Sequence, residues 1–232
     1  LGAVFEGERV LVRRERFRFT PVTIPEASFT VYRDQRHRPG WLGGGDLSAL
    51  PAGRRTFAGV EFQLLDFTTS PVPSVVALSG EGSDATAHAI EGVPVGARAD
   101  ALFFLHTFHP GGEIADWRRR VREAAEARRD PPPAPRVAIY RVHYADGAQT
   151  EIPVVFGEHI GAWNDARPMP LPGADLGWAG RQPDGGSAAV WMMRWTNPRP
   201  DQVIRQVDFI RQGSPRLGAP ALFAITRGER VE

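Results

Sequence analysis

Residues 136–156, RVAIYRVHYADGAQTEIPVVF, decide which fold this chain can adopt. Apolar and polar residues alternate from Val137 to Tyr144, which is typical of a β-strand with one buried face. Ala145-Asp146-Gly147-Ala148 follows, and a second extended run completes the stretch. Asp-Gly between two such runs favours a tight turn with positive φ, whose twist suits a β-hairpin. The stretch therefore predicts a hairpin and, because similar runs recur to the C-terminus, an antiparallel β protein.

Extended runs also occur outside this hairpin. Residues 8–19 alternate apolar side chains with arginine, which predicts a half-buried edge strand that includes Phe17 and Phe19. The run at 100–108, DALFFLHTF, is nearly continuous in its hydrophobicity and predicts a central strand. Other strands are predicted at 57–67, 73–79, 187–196, 202–211 and 219–227.

One segment has helical spacing instead. In residues 113–129, apolar side chains recur at Ile114, Trp117, Val121 and Ala124, and Asp130 with the following prolines ends the helix. The arginines at 118–120 could bind a polyanion. The sequence favours a solvated face, because Asp116 lies one turn before Arg120 and two glutamates follow.

Strands separated by turns, without strand–helix alternation, predict an all-β fold. The expected architecture is a two-sheet antiparallel β-sandwich of jelly-roll type with one inserted helix, about 113–129. The 232 residues are interpreted as one domain with a long N-terminal strand and loop excursion, about 1–55. Residues 20–55 are rich in Pro and Gly and predict a surface loop, which at this length is more often functional or interface-forming.

Composition limits the classes of partner. The formal net charge of +1 gives no basic field for nucleic acid or an anionic membrane, and no apolar run reaches the length of a membrane span. Since the chain has no cysteine, disulfides and thiolate metal sites are excluded. The start at Leu1-Gly2-Ala3 suggests a processed or excised piece.

The tryptophans are the best guide to function. Trp191 and Trp195 share a predicted strand face with Met193, which indicates a core position. The other candidates lie in the long loops, where large rings beside Gly, Asn and Asp suit a sugar-binding surface. The alternative is that these rings plug the ends of the sandwich beneath the loops. The candidate carbohydrate-binding residues are Trp41, Trp163, Asn164, Asp165 and Trp178.

No motif predicts a metal centre or a catalytic residue. His106-x-x-His109, with Glu113 nearby, has only a loose metal-ligand pattern, because the spacing needs a helix and His106 ends a predicted strand. His143 and His159, on opposite arms of the hairpin, could approach each other. No cofactor is expected, although Asp46, Asp165, Asp175 and Asp184 could supply oxygen ligands to a structural calcium. No nucleophile elbow, zinc-protease, P-loop or dinucleotide motif is found, which favours a protein that is not an enzyme.

Three stretches carry a family resemblance: Phe57-Ala58-Gly59-Val60-Glu61-Phe62, Tyr144-Ala145-Asp146-Gly147 and Trp195-Thr196-Asn197-Pro198-Arg199-Pro200-Asp201. Through them, roughly residues 41–227 resemble galactose-binding-like jelly-roll accessory modules of large bacterial extracellular proteins. The resemblance implies a non-catalytic module that binds carbohydrate or packs against a neighbouring domain, outside the cell or on its surface. The arginine-rich helix departs from that pattern, and no binding residue is transferred.

Two other functions stay open. One is a structural subunit of an extracellular filament or multidomain protein, because the long excursion could reach a neighbouring copy and add a strand. The other is a glycan-processing enzyme with a pair of carboxylates that no motif reveals.

Overall fold

The computed structural model describes residues 16–34, 36–41, 45–66 and 72–231. Within these ranges the chain forms twelve β-strands and one α-helix. In chain order the elements are β1 (Arg16–Val22), β2 (Gly53–Phe57), β3 (Val60–Leu64), β4 (Val76–Ala77), β5 (Ala89–Ala97), β6 (Ala101–Pro110), α1 (Gly112–Glu126), β7 (Arg136–Tyr144), β8 (Gln149–Val155), β9 (Ala174–Arg181), β10 (Ser187–Thr196), β11 (Ile204–Arg211) and β12 (Gly218–Val231).

The strands form two main sheets and a separate hairpin. The larger sheet has the order β1-β12-β6-β10-β9, with β4 also paired to β12. The smaller sheet has the order β5-β11-β7-β8, and β2 and β3 form a separate two-stranded sheet within the described part of the chain. All of these pairs are antiparallel. The predicted class, an all-β sandwich with one inserted helix, is therefore confirmed.

The first core lies between the two main sheets. Tyr140 of β7 stacks on Phe104 of β6 with ring centroids 3.9 Å apart, and on Phe209 of β11 at 4.9 Å. Trp191 and Met193 are buried in the same cluster, as their shared strand face predicts. Burial of these large side chains contributes to the hydrophobic stabilisation that joins the sheets.

A second core covers the opposite face of the larger sheet. Phe103 and Leu105 of β6 point into it, whereas Leu102 and Phe104 point into the first core. Since both faces are buried, β6 is hydrophobic at successive positions, and the prediction of a central strand at 100–108 is confirmed.

The N-terminal segment supplies this second core, which corrects one expectation. Residues 20–55 are not simply a surface loop, because several of their apolar side chains are buried against the larger sheet. These include Val31, Trp41, Leu47 and Leu50. Together with the β2–β3 hairpin they form a third layer over the sandwich.

Two of the predicted strands differ in extent. In the run at 57–67, Phe57 is the last residue of β2, a turn at Ala58 and Gly59 with φ of 48° and 79° follows, and β3 then ends at Leu64. Residue 67 lies outside the described residues. The run at 73–79 has only Val76–Ala77 as a strand.

The N-terminal strand agrees with its prediction where it is described. Residues 8–15 lie outside the described residues. In β1, Phe17 and Phe19 pack edge-on against Phe103, with centroids 5.6 Å and 5.4 Å away. Arg16 and Arg18 alternate with them and are exposed, so β1 is an edge strand with one covered face.

The helix ends at Glu126, earlier than residue 129, where the sequence predicts its end before the prolines. The last N–H of the helical ladder is that of Ala127, which donates to the Glu123 carbonyl. Arg128 has a φ of 52° and its N–H donates to the Ala125 carbonyl instead, so the helix ends at Glu126. Asp116 was expected to pair with Arg120, but its carboxylate contacts Arg119 instead, at 3.0 Å.

The β7–β8 hairpin has the predicted turn. Gly147 has a φ of 89°, and the Tyr144 N–H donates to the Ala148 carbonyl at 2.9 Å. The Tyr144 hydroxyl donates to Asn197 Oδ1 at 2.6 Å, and Arg199 pairs with Asp146 at 2.5 Å. Two of the stretches that carried the resemblance thus contact each other and close one end of the sandwich.

Among the described residues, no helix combines the length and the apolar character needed to cross a bilayer.

Candidate functional site

The crossover between β8 and β9, residues 156–173, carries three of the five candidate residues. Its middle part is inserted between β6 and β10. The Phe108 N–H donates to the Gly161 carbonyl at 3.1 Å, and the Trp163 N–H donates to the Phe108 carbonyl at 2.9 Å. On the other side, the Ala189 N–H donates to the Trp163 carbonyl at 2.7 Å. The crossover therefore completes the sheet where β6 and β10 separate.

The glycine at 161 allows this insertion. A Cβ atom there would lie 2.4 Å from Cζ2 of Trp191, so only a residue without a side chain fits beneath that ring. The Trp191 indole N–H in turn donates to the Met169 carbonyl at 3.0 Å and holds the later part of the crossover.

Two of the candidate tryptophans are buried. Trp41 is 0% exposed and Trp163 is 5% exposed, and their rings meet edge to face at 6.4 Å. The Trp41 indole N–H donates to the Ala219 carbonyl, and that of Trp163 donates to His109 Nδ1 at 3.0 Å. Because neither ring has a free face, the prediction that Trp41 and Trp163 stack on a sugar is wrong, and both anchor the second core.

Trp178 is the accessible member of the three candidate tryptophans. It lies in β9 and not in a loop, paired with Val190, and its side chain is half-buried at the margin of the second core. The indole lies across Gly180, where a Cβ atom would come within 2.1 Å of Cζ2. The sequence pattern does not reveal β9, because ADLGWAGR lacks a regular apolar alternation.

Asn164 and Asp165 follow Trp163 at a turn. Asn164 is exposed and Asp165 is half-exposed, with Asp165 Oδ1 accepting the Arg167 N–H at 3.0 Å. The crossover and β9 flank the same strand, β10, so the backbones at Trp163 and at β9 are separated by about 10 Å, twice the usual strand spacing. Asn164 and Asp165 thus lie in the same region as Trp178, on the far side of one strand.

The His106-x-x-His109 pattern does not form one site. His106 points between the main sheets, where its Nε2–H donates to the His159 carbonyl at 2.8 Å and its Nδ1 accepts the Tyr140 hydroxyl at 2.9 Å. His109 points to the other face, towards Trp163. Burial lowers the pKa of His106 to about 4, despite the opposing bond to the carbonyl.

The described ranges contain no group of three or more His, Asp or Glu side chains placed to hold a metal ion. Three of the four aspartates considered for calcium accept backbone N–H groups in turns: Asp46 from Ser48, Asp165 from Arg167, and Asp184 from Gly186. A structural calcium therefore stays a prediction with no ligand group in the described part of the chain.

A second polar arrangement, the contact between His143 and Asp208, is not predicted by the sequence. His143 Nε2 lies 2.5 Å from Asp208 Oδ2 on the smaller sheet, and Asp208 is only 3% exposed. The Gly92 N–H also donates to Asp208 Oδ1, at 2.9 Å. Asp208 lies inside a strand pattern, which does not indicate such a pair. His143 lies near the hairpin turn and His159 lies beyond the far end of β8, so their predicted approach is wrong.

No protein-family model matches this chain, and no curated protein sequence matches it. The galactose-binding-like resemblance stays a prediction, and function has to be inferred from the geometry around Trp178.

Proposed function

We propose that this chain is a non-catalytic carbohydrate-binding β-sandwich module of an extracellular protein, with its ligand surface at β9 and the crossover turn. The observation that carries the proposal is the half-buried Trp178 indole, which packs over Gly180 on an edge strand. A planar apolar ring held against the backbone is suited to stack on the face of a sugar ring.

Polar groups near this ring support the proposal. The exposed Asn164 amide supplies both donors and an acceptor, and the half-exposed Asp165 supplies acceptors. Sugar hydroxyls require both kinds of partner. The rigid insertion of Trp163 between β6 and β10 fixes the start of this turn, so little ordering entropy would be lost on binding.

Titration with a panel of neutral and acidic polysaccharides, followed by tryptophan fluorescence, tests the proposal. We expect a saturable change for at least one glycan and its loss in Trp178→Ala. Trp178→Phe keeps a stacking plane and should retain part of the affinity.

A matched control removes a different half-buried indole. Trp195 of β10 packs against the first core, on the opposite face of the larger sheet from Trp178, so Trp195→Ala should leave glycan affinity unchanged. Thermal melts of both variants verify folding. The proposal is wrong if no glycan binds, or if Trp178→Ala binds as tightly as the unsubstituted chain.

A second candidate function is packing against a neighbouring domain. Met169 is 67% exposed, the most exposed large apolar side chain in the described ranges, and it stands in the crossover between Pro168 and Pro170. Prolines stiffen such a tip and lower the entropy lost on docking. Met169→Gln should then leave the stability of the isolated chain unchanged but weaken its association with the adjoining polypeptide, as measured by calorimetry.

A further inference from the structure

Besides its backbone hydrogen bonds to β6 and β10, the first half of the crossover makes hydrogen bonds that involve three imidazole rings. We call residues 156–165 the latch segment. His106 and His109 of β6 contact it from outside, and His159 lies within it. His109 and His159 each accept a hydrogen bond from a group that can only donate, which fixes both rings as neutral.

His109 accepts the hydrogen bond from Trp163. An indole nitrogen can only donate, so Nδ1 of His109 must carry a lone pair, and the ring is neutral. Protonation would place two N–H groups against each other at 3.0 Å. The charged group that faces this ring is Glu81, which favours the protonated form, but burial outweighs it and lowers the pKa of His109.

His159 also accepts a hydrogen bond from a group that can only donate. The Val155 backbone N–H, also a pure donor, points to His159 Nδ1 at 3.2 Å. The ring packs against Gly173, where a Cβ atom would lie 2.6 Å from its Cδ2, so it also supports the return of the crossover. Glu158, 3.7 Å from Nε2, favours protonation, whereas burial lowers the pKa of His159 more strongly.

His106 secures the segment from inside the first core. Its Nε2–H donates to the His159 carbonyl, and the ring is completely buried between Tyr140 and that carbonyl. His159 is also the titratable group that disfavours a charge on His106, so the two rings oppose joint protonation.

We propose that residues 156–165 form an acid-released latch: near neutral pH, unprotonated His109 ties the segment to β6 and unprotonated His159 ties it to the last residue of β8, and protonation below pH 6.5 opens the segment while the smaller sheet stays folded. The two lost hydrogen bonds are local to the segment. The inference concerns the part of the chain that carries Asn164 and Asp165, but it does not depend on these residues binding carbohydrate.

Hydrogen exchange of the whole chain at pH 7 and pH 5, corrected for the intrinsic pH dependence of exchange, tests the proposal. We expect protection of amides in 156–165 to fall about tenfold or more, because each histidine contributes about tenfold for each pH unit of linkage. Amides of β7 and β11 should stay more protected than the latch segment at pH 5, because opening of the segment does not open the smaller sheet.

The variant His109→Asn with His159→Asn separates the latch from general acid sensitivity. Asparagine Oδ1 can take the place of Nδ1 as an acceptor and does not titrate. This double variant should keep the protection of 156–165 at pH 5. His88→Asn removes an exposed histidine away from the segment and should release the latch segment as the unsubstituted chain does.

Three results would overturn the proposal. They are equal protection of the latch segment at pH 7 and pH 5, exchange of the segment at pH 5 no faster than that of β7 and β11, and unchanged acid release in the double variant. If the double variant does not fold, hydrogen exchange of the Trp163 amide in the single variant His109→Asn tests the proposal instead. Unchanged acid release at that amide would overturn it.

Discussion

At the end of the sandwich that carries the β7–β8 turn, the Asn197 amide joins three parts of the chain. Its Oδ1 accepts the Tyr144 hydroxyl, and its Nδ2 group donates to the carbonyls of Ala99 and Arg199. At the opposite end, three neutral imidazoles hold the crossover. An amide does not change its charge with pH, whereas an imidazole does so near 6.5.

The hydrogen-bonded groups at the two ends of the sandwich can therefore respond very differently to pH. Asp146 and Arg199 at the turn end strengthen each other's charged forms, since their ion pair lowers the pKa of Asp146 and raises that of Arg199. At the crossover end, burial lowers the pKa of His106, His109 and His159. We expect acid to weaken one end and leave the other intact.

The largest expected effect is the loss of stability in acid. Because the pKa of His106 is lowered on folding, its stabilising contribution is complete above 6.5 and is lost as pH falls from 6.5 towards about 4. At about 1.4 kcal/mol for each pH unit, His106 alone accounts for roughly 3 kcal/mol. Urea unfolding at several pH values between 7 and 4 measures this, and a flat free energy of unfolding would contradict it.

The next largest effect is the loss of stability when the hydrogen bonds of Asn197 at the turn end are removed. Asn197→Ala leaves the Tyr144 hydroxyl and the Ala99 carbonyl without their partner in a buried site, which costs roughly 2–3 kcal/mol. The loss, measured by urea unfolding, should be the same at pH 7 and pH 5 because none of these groups titrates there. A pH-dependent loss would show that the two ends are coupled.

A smaller effect comes from the turn backbone. Gly147 has a φ of 89°, and a Cβ atom added there would meet no other atom within 4 Å, so Gly147→Ala tests backbone strain alone. We expect about 1 kcal/mol of destabilisation, measured by thermal or urea unfolding. Gly147→Asn, which tolerates positive φ better, is the control and should cost less.

The smallest effect concerns the exposed ion pair at the same turn. Asp146→Asn removes the charge partner of Arg199, but the pair is open to solvent and is screened by salt. Its destabilisation should be smaller than that of Gly147→Ala and should vanish in 1 M salt, where the Debye length is about 3 Å. Urea unfolding at low and high salt measures this destabilisation. A loss larger than that of Asn197→Ala would mean that the ion pair stabilises the turn end more than the hydrogen bonds of Asn197 do.

The sequence predicted the elements whose patterns are local. Tyr144 and Gly147 mark the hairpin, and β10 has the bounds that alternation predicts. The spacing of apolar side chains predicts the helix but places its end too late. The positive φ of Arg128, which ends the helix, cannot be inferred from that spacing. The sequence places Trp178 in a loop because edge strand β9 has too few apolar residues to alternate.

The candidate site was harder to predict because exposure depends on distant parts of the chain. Trp41 and Trp163 have the same loop-like surroundings in sequence as an exposed tryptophan would have. They are buried because the N-terminal segment folds over the larger sheet and brings the two rings together with Phe223. The pairing of His143 with Asp208 likewise joins residues from different strands.

By itself the sequence determined the β class, the main hairpin and the single helix, since these follow from side-chain periodicity and turn residues over a few positions. Only the tertiary structure decided that the larger sheet is covered on both faces, that Trp178 alone of the candidate tryptophans is accessible, and that three histidines are held neutral. Those properties arise from burial and hydrogen bonding between segments far apart in the chain, which no local pattern encodes.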